Sequence, residues 1–548
     1  METDEPLIEK RLFGPPGTGK TTFLAREIGN LADKYGADNI LVSSYTKTAA
    51  TELVSRKIPI PRDSVGTLHS LCYRALDSPT IAETKIPEFN QEYPQFALTP
   101  DSKSTMDECA ADAVYSTDGD KLFAEYRLHR ARLQPLGTLQ PQVYKFAKAW
   151  EHWKLQNRYM DFTDMISFTL LFKSPPPGGK QVGVYDEVQD FNALELALIR
   201  MWANHQQYVI LGGDDDQCLY FFTGASSDAF LNPPVPASQK RVLSQSWRVP
   251  RKIQAMANTW IKQIAKREPK EYRPRDFEGE VRTVRAQYLT PTQAIDDAQQ
   301  YLKIGKSVMF LTSCGYMLNG FKQALRHNGI PFHNPFRKNR GDWNPLGSFG
   351  PKREGYSTAK DRLLAFLDDS GPVLAGKAYW TIKDLSLWAD IVNAKGNLKR
   401  GAKTKIANED EFPTKYSPLE IADFHHECFE GHMLNAALAR DLQWLQRNLM
   451  PAKASTLEFP IKVYQKQGRD ALVTKPQIII STIHGVKGGE ADVVYLFSDL
   501  SVQGMREWKS SGEGHDSIVR MMYVGMTRAK ESLILCDPST PAHVKMVA

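Results

Sequence analysis

The chain has 548 residues, 42% of them hydrophobic and 24% charged, with a formal net charge of +6. This suits a globular protein of roughly three or four domains, and the mild positive charge permits a nucleic-acid partner without demanding one. Six scattered cysteines, Cys72, Cys109, Cys218, Cys314, Cys428 and Cys536, include no CxxC pair. That argues against a zinc or iron–sulfur centre and for free thiols in a reducing compartment. The N-terminal stretch lacks the layout of a secretory signal, and no apolar run approaches the about 20 residues that span a bilayer. A cytoplasmic, intracellular protein without a membrane partner is expected.

In chain order, Glu9–Phe13 reads as a short strand, followed by a Gly/Pro loop and a helix over Thr21–Leu31. Aliphatic and β-branched runs predict buried strands at Ile40–Ser44, Val182–Tyr185, Tyr208–Leu211, Ser307–Thr312, Gln477–Thr482, Asp492–Phe497 and Ser532–Cys536. Helical patterns lie between many of them, as at Ala193–Trp202 and Ile518–Ala529. Strands alternating with helices predict an α/β fold with parallel sheets covered on both faces.

Residues 77–150 carry helical periodicity at Lys121–Leu133 and Val143–Leu155 instead of strands. Residues 346–454 do the same at Asp361–Asp368, Ile382–Val392 and Met433–Arg447, with a Gly- and Lys-rich stretch at Lys395–Lys405. The expected organisation is a first lobe of residues 1–76 and 151–268 with a helical insertion at 77–150. A second lobe of residues 269–345 and 455–548 carries an insertion at 346–454, reached through the loop Asn334–Gly355.

Gly14, Pro15, Pro16, Gly17, Thr18, Gly19, Lys20 and Thr21 match G-x-x-x-x-G-K-[ST] between a strand and a helix. Such a loop closes backbone N–H groups around phosphate oxygens at a helix N-terminus. Lys20 would reach the β- and γ-phosphates, and Thr21 would coordinate Mg²⁺. Thr22, the next helical residue, completes the candidate ATP-binding set. The strand ending at Tyr185 is followed by Asp186 and Glu187; the Asp would hold Mg²⁺ and the Glu would polarise the attacking water. The strand ending at Leu211 leads to Gly213-Asp-Asp-Asp-Gln217, which places Gln217 to sense the γ-phosphate. Lys20 and Asp186 are 166 positions apart, so an insertion between them is required.

These residues resemble superfamily 1 DNA helicases of the UvrD/Rep/PcrA type, in order, from Gly14 to Ala529. Val42–Ala50 and Gly66–Ser70 resemble the family's DNA-contact motifs, and Asp161-Phe-Thr-Asp164 a motif upstream of the acidic strand. Asp186–Asp190, Gly213–Tyr220, Gln245–Arg248, Thr482–Gly488 with Glu490, and Tyr523–Ala529 resemble the remaining motifs. The resemblance implies two RecA-like P-loop lobes, each with an inserted, mainly helical subdomain, and a motor that uses ATP and Mg²⁺. It implies that Arg248 and Arg528 approach the γ-phosphate from the second-lobe side, that Glu490 contacts the ribose and that Trp247 stacks on the base. Tyr45, Tyr220 and Phe222 are base platforms, and Thr67 and His69 phosphate contacts. Core packing competes as a reading of Tyr45, and one of Phe221 and Phe222 is expected to face the core.

The resemblance further implies single-stranded DNA and single-strand/duplex junctions as substrates, 3′→5′ movement, and accessory replication or repair proteins as partners. Two features depart from the family: no glutamine precedes Gly14 to read adenine, and Thr223 stands where an Arg is usual. The short N-terminus and second insertion suit a compact phage or mobile-element version. The basic stretch Lys399–Lys405 has two readings, a duplex contact or a solvated loop. A translocase that strips proteins from single strands without unwinding is the alternative function, and a non-catalytic nucleic-acid-binding scaffold the more remote one.

Overall fold

A computed structural model describes residues 8–100, 117–337, 341–347, 357–409 and 416–546. Cys109, part of the expected loop Asn334–Gly355 and the residues before Ile8 lie outside them. The chain divides into two compact units. One is Met1–Arg285 with Leu311–Tyr316 and Thr482–Ala548, the other Ala286–Phe310 with Met317–Ser481.

The first six strands are β1 (Ile8–Phe13), β2 (Ile40–Ser44), β3 (Val65–Gly66), β4 (Val182–Asp186), β5 (Tyr208–Gly213) and β6 (Lys240–Val242). They form one sheet in the order β3-β2-β4-β5-β1-β6, every pairing parallel. Because successive side chains point to opposite faces, a strand covered on both sides must be apolar throughout. Leu12, Ile40, Val42, Val182, Val184 and Ile210 pack on one face with Leu24 and Ile28 of the helix Lys20–Tyr35. Phe13, Leu41, Tyr185, Val209 and Leu211 pack on the other against the helices Leu68–Ala75, Phe162–Leu171 and Ala193–Ala203. Each enclosed aliphatic side chain contributes about 1.5–3 kcal/mol.

The remaining strands are β7 (Glu280–Val284), β8 (Val308–Thr312), β9 (Phe332–His333), β10 (Val373–Leu374), β11 (Lys377–Ala378), β12 (Ile478–Thr482), β13 (Ala491–Phe497) and β14 (Ala529–Cys536). In the first unit β14 pairs in parallel with both β7 and β13, which makes a second parallel sheet. The helix expected to run to Ala529 ends at Met526, and β14 begins at Ala529. The Arg528 N–H caps Gly525 O at 3.3 Å while its carbonyl accepts from Ala491 N at 3.1 Å. That switch fixes Arg528 at the junction of helix and strand.

The helices Asp118–Ala131 and Pro141–Asn157 enclose an aromatic core of Phe89, Phe123, Tyr126, Phe146, Trp150 and Trp153. A buried ion network ties this core to the helix Phe162–Leu171. Asp161 caps that helix through a capping box with Asp164. Lys154 donates to both carboxylates at 2.6 Å, Arg130 meets them at 3.0 and 2.7 Å, and Trp150 Nε1 donates to Asp161 at 3.0 Å. The motif-like Asp161–Asp164 is thus a strut.

In the second unit β9 pairs in parallel with β12, and β10 and β11 form a short antiparallel hairpin. Phe366, Trp380, Trp388 and Trp444 stack in a second aromatic core. The helix expected over Met433–Arg447 is two, Met433–Leu438 and Leu442–Asn448. Arg440 turns left-handed (φ 53°) so that its guanidinium reaches the carbonyls of Asp368, Leu438 and Ala378, and Asp441 caps the second helix. In the basic stretch Lys399 donates to His426 O at 2.9 Å, Lys403 to Asp390 O at 3.0 Å, and Lys405 pairs with Glu427. The five cysteines among the described residues are free and buried. No helix of those residues is long and apolar enough to cross a membrane.

Replacing Trp150 by Ala removes both core volume and the donor to Asp161. The expected cost is about 3–5 kcal/mol. Hydrogen exchange should show it as lost amide protection in the helices Asp118–Ala131 and Pro141–Asn157, with the sheet β1–β6 still protected.

Candidate nucleotide and DNA site

In a parallel sheet the C-terminal strand ends share one edge, where ligands bind. The neighbours β4, β5 and β1 present Asp186–Glu187, Asp214–Gln217 and Gly14–Thr21 there. Gly17 and Gly19 take φ of 75° and 79°, and a Cβ on Gly17 would fall 2.4 Å from Cβ of Arg248. Only glycine fits this cradle. The helix Lys20–Tyr35 begins at Gly19 with no side-chain cap, so its first N–H groups face the loop. The outer wall is the segment after β6. Ser246 Oγ and Tyr272 OH each donate to Pro16 O at 2.9 Å, and Trp247 N donates to Gly17 O at 2.8 Å. Trp247 leaves its indole 73% exposed.

The Lys20 ammonium, almost enclosed, bridges Asp186 and Glu187, with Glu187 Oε1 at 2.5 Å. Burial opposes its charge, but the two carboxylates outweigh burial and raise its pKa. Burial likewise opposes charge on Glu187, yet Lys20 and Lys487 hold it below the usual carboxylate range. Burial keeps Asp186 above that range in spite of Lys20. Glu187 sits left-handed (φ 58°) and accepts from Gln189 Nε2 at 2.7 Å; Gln189 Oε1 accepts from Asp214 N at 3.0 Å. Thus the β4 and β5 ends are bolted together.

Lys487, given no separate role by the sequence, meets Glu187 Oε2 at 3.2 Å, donates to Gln217 O at 3.1 Å and pairs with Asp190. Burial pushes the Asp190 carboxyl up to about 6 even beside that lysine. Gln217 is oriented at both ends: Nε2 donates to Asp214 Oδ2 at 2.7 Å, and Oε1 accepts from Arg528 Nη2 at 3.0 Å. Arg528 is buried, which together with Arg248 lowers its pKa to about 9. Arg248 donates to Glu490 Oε2 at 2.6 Å. It is carried by the segment after β6 of the first sheet, whereas the sequence placed it on the second-lobe side.

The aromatic candidates form a row. Tyr45 packs on Tyr220 with centroids 4.9 Å apart, Tyr220 on Phe222 at 5.9 Å, and Phe222 on His484 at 5.7 Å. Lys487 Nζ lies 5.6 Å from the Tyr220 ring centre. Neither Phe221 nor Phe222 is buried, contrary to expectation; Tyr220 takes the inward position and Phe221 lies beneath Arg132, 5.6 Å away. Tyr45 is both ring partner and core neighbour, since it also meets Phe191 at 5.8 Å. Thr67 caps the helix Leu68–Ala75 by accepting from Ser70 N at 3.3 Å. His69 Nδ1 lies 3.8 Å from Glu195 Oε1; burial, with Arg127, lowers its pKa to about 4, so the ring is neutral at neutral pH.

Two family models match in chain order: the UvrD/REP helicase N-terminal domain over residues 11–234 and the UvrD-like helicase C-terminal domain over residues 461–538. The chain belongs to the UvrD/Rep/PcrA helicases of superfamily 1. It is an ATP-dependent DNA helicase. The chain is 24% identical to a Mycoplasma capricolum protein named "Probable DNA helicase II homolog", over 98% of this chain and 82% of that one. It is 26% identical to the Bacillus subtilis ATP-dependent DNA helicase PcrA, over 98% and 81%. In this UvrD-type helicase the N-terminal match runs from within β1 past Tyr45, Tyr220 and Phe222, and the C-terminal match carries His484, Lys487, Glu490 and Arg528.

Lys487→Met leaves Asp190 without its cation and Glu187 with Lys20 alone, and unfolding by denaturant should show a loss of about 3–5 kcal/mol at neutral pH. A carboxyl whose folded pKa exceeds its unfolded value favours the fold at low pH and penalises it above the folded pKa. With Asp190 already near 6, the penalty should shrink as the pH falls below that value, and Asp190→Asn should recover part of it at neutral pH.

Proposed function

We propose that the helicase couples ATP hydrolysis to 3′→5′ movement along single-stranded DNA and separates duplex at the junction ahead. The carrying observation is the unbroken chain of contacts Lys20–Glu187–Lys487–Gln217–Arg528. ATP displaces its phosphates into the loop Gly14–Thr21, so that Lys20 trades Asp186 and Glu187 for the β- and γ-phosphates. Glu187, freed from that lysine, orients the attacking water. Gln217, Arg248 and Arg528 face the γ-phosphate and stabilise its charge as it transfers. Trp247 offers its exposed face to the base and Glu490 its carboxylate to the ribose.

An oxygen-only set of the Thr21 hydroxyl and the enclosed Asp186 carboxylate suits Mg²⁺, which when bound neutralises charge on the phosphates. Asp186 supports the fit, because its carboxylate is enclosed at the end of β4 and bonds Lys20 Nζ and Glu187 N through one oxygen, Oδ1.

Coupling to DNA runs through Lys487, which contacts Glu187 on one side and the face of Tyr220 on the other. Bases stacked on Tyr45 and Phe222, which flank the buried Tyr220, then sense its position, with Thr67 and neutral His69 toward the phosphates. The 3′→5′ direction rests on the forms Asp186-Glu-Val-Gln-Asp190 and Gly213-Asp-Asp-Asp-Gln217.

One observation favours a translocase that strips proteins without unwinding. Thr223 turns its hydroxyl to Tyr220 O at 2.8 Å and presents no cation to the strand. Duplexes with a 3′ tail, a 5′ tail or blunt ends separate the readings. The proposal predicts ATP-dependent unwinding of the 3′-tailed duplex alone; unwinding only from a 5′ tail contradicts the polarity. ATPase stimulated by single strands with no unwinding supports the translocase.

A further inference from the structure

The segment after the helix Arg251–Ile261 closes on the nucleotide site as a strap. Lys270, with its side chain 1% exposed, meets Asp214 Oδ1 at 2.8 Å and Asp216 Oδ2 at 2.9 Å, and bonds Asp215 as well. Arg267 Nε donates to Asp216 Oδ1 at 2.8 Å, and Glu268 N donates to Asp215 Oδ2 at 2.9 Å. Two residues past Lys270, Tyr272 holds the phosphate-loop carbonyl of Pro16 at 2.9 Å. Three adjacent buried carboxylates would repel one another without these cations.

The strap bears on catalysis through the division of labour at Asp214. One oxygen, Oδ1, takes Lys270 and, at 3.3 Å, Asp216 N; the other, Oδ2, takes the Gln217 amide at 2.7 Å. The lysine therefore fixes the carboxylate plane, the carboxylate fixes the Gln217 amide, and the amide oxygen is turned toward Arg528. We infer that Lys270 is a positioning residue for ATP hydrolysis, acting through Asp214 to hold Gln217 and Arg528 in register for the γ-phosphate; this rests on the γ-phosphate roles proposed above for those two residues. Sharing one carboxylate between Lys270 and Gln217 joins the strap to the side chain that meets Arg528.

The test uses the full chain with single-stranded DNA. Asp214→Asn keeps shape but can no longer accept from Lys270 and Gln217 at once. Both Asp214→Asn and Lys270→Met should lower kcat for ATP about tenfold or more, with KM for ATP and Kd for ADP within about threefold of wild type. Lys270→Arg, which restores a cation, should recover part of the turnover. ADP lacks the γ-phosphate, so its affinity separates positioning from a collapsed loop. Wild-type kcat in folded Asp214→Asn overturns the inference, as does an equal loss of ADP binding. Should Lys270→Met fail to fold, isosteric Asp214→Asn decides alone. Gln217→Ala is the control: wild-type kcat there sinks the γ-phosphate roles themselves, whereas a drop there with none in Asp214→Asn sinks only the role of Lys270.

Discussion

The Lys20 ammonium held between Asp186 and Glu187 is the interaction on which the site depends. A lysine and two carboxylates removed from water are each costly alone, and they are tolerable only as a set. Charges alternate beyond the set: Lys20 meets Glu187, Glu187 meets Lys487, and Lys487 meets Asp190. Withdrawing either lysine leaves a buried carboxylate, Asp186 or Asp190, without its cation. A polyanionic ligand that draws Lys20 away would disturb a line of groups reaching the aromatic row, and in the proposed function this is the route by which nucleotide and DNA sense each other.

Parallel topology is what brings the line together. β1, β4 and β5 are neighbours although 166 positions separate Lys20 from Asp186. Their ends could be far apart in a sheet of another order. On the other side, Arg528 stands where the helix gives way to β14, and its bond to Val524 O at 3.0 Å helps to hold the guanidinium facing Gln217. Glycines at Gly17 and Gly19 supply the backbone turns, and the backbone bonds to Pro16 and Gly17 prevent the loop from relaxing outward.

Much of this was legible in sequence because the physics is local. Strands such as Ile40–Ser44 and Val182–Asp186 are covered on both faces and must be unbroken apolar runs. The edge strands β6 and β7 were not legible: Lys240, Arg241, Glu280 and Arg282 break the apolar run that marks a buried strand, since an edge tolerates charge. The break at Arg440 carries no Gly or Pro and arises from three carbonyls brought near by the fold. In the site, the loop Gly14–Thr21 and the acidic strand end declare themselves by spacing. Lys487 lay inside a legible motif, but its partner Asp190 is 297 positions away. Lys270 is a single lysine in a polar stretch, and only the three carboxylates around it reveal its burial. Pairings of that kind are long-range electrostatics, for which a linear pattern has no signal.

The central claim is that Lys20 is the group whose transfer from carboxylates to phosphates starts turnover. It is tested most directly by the rate of ATP hydrolysis, with and without single-stranded DNA, in the wild-type chain and in Lys20→Ala. The account predicts wild-type turnover that rises with DNA and a variant reduced by about 100-fold or more under both conditions. A folded Lys20→Ala variant that hydrolyses ATP at the wild-type rate would contradict it.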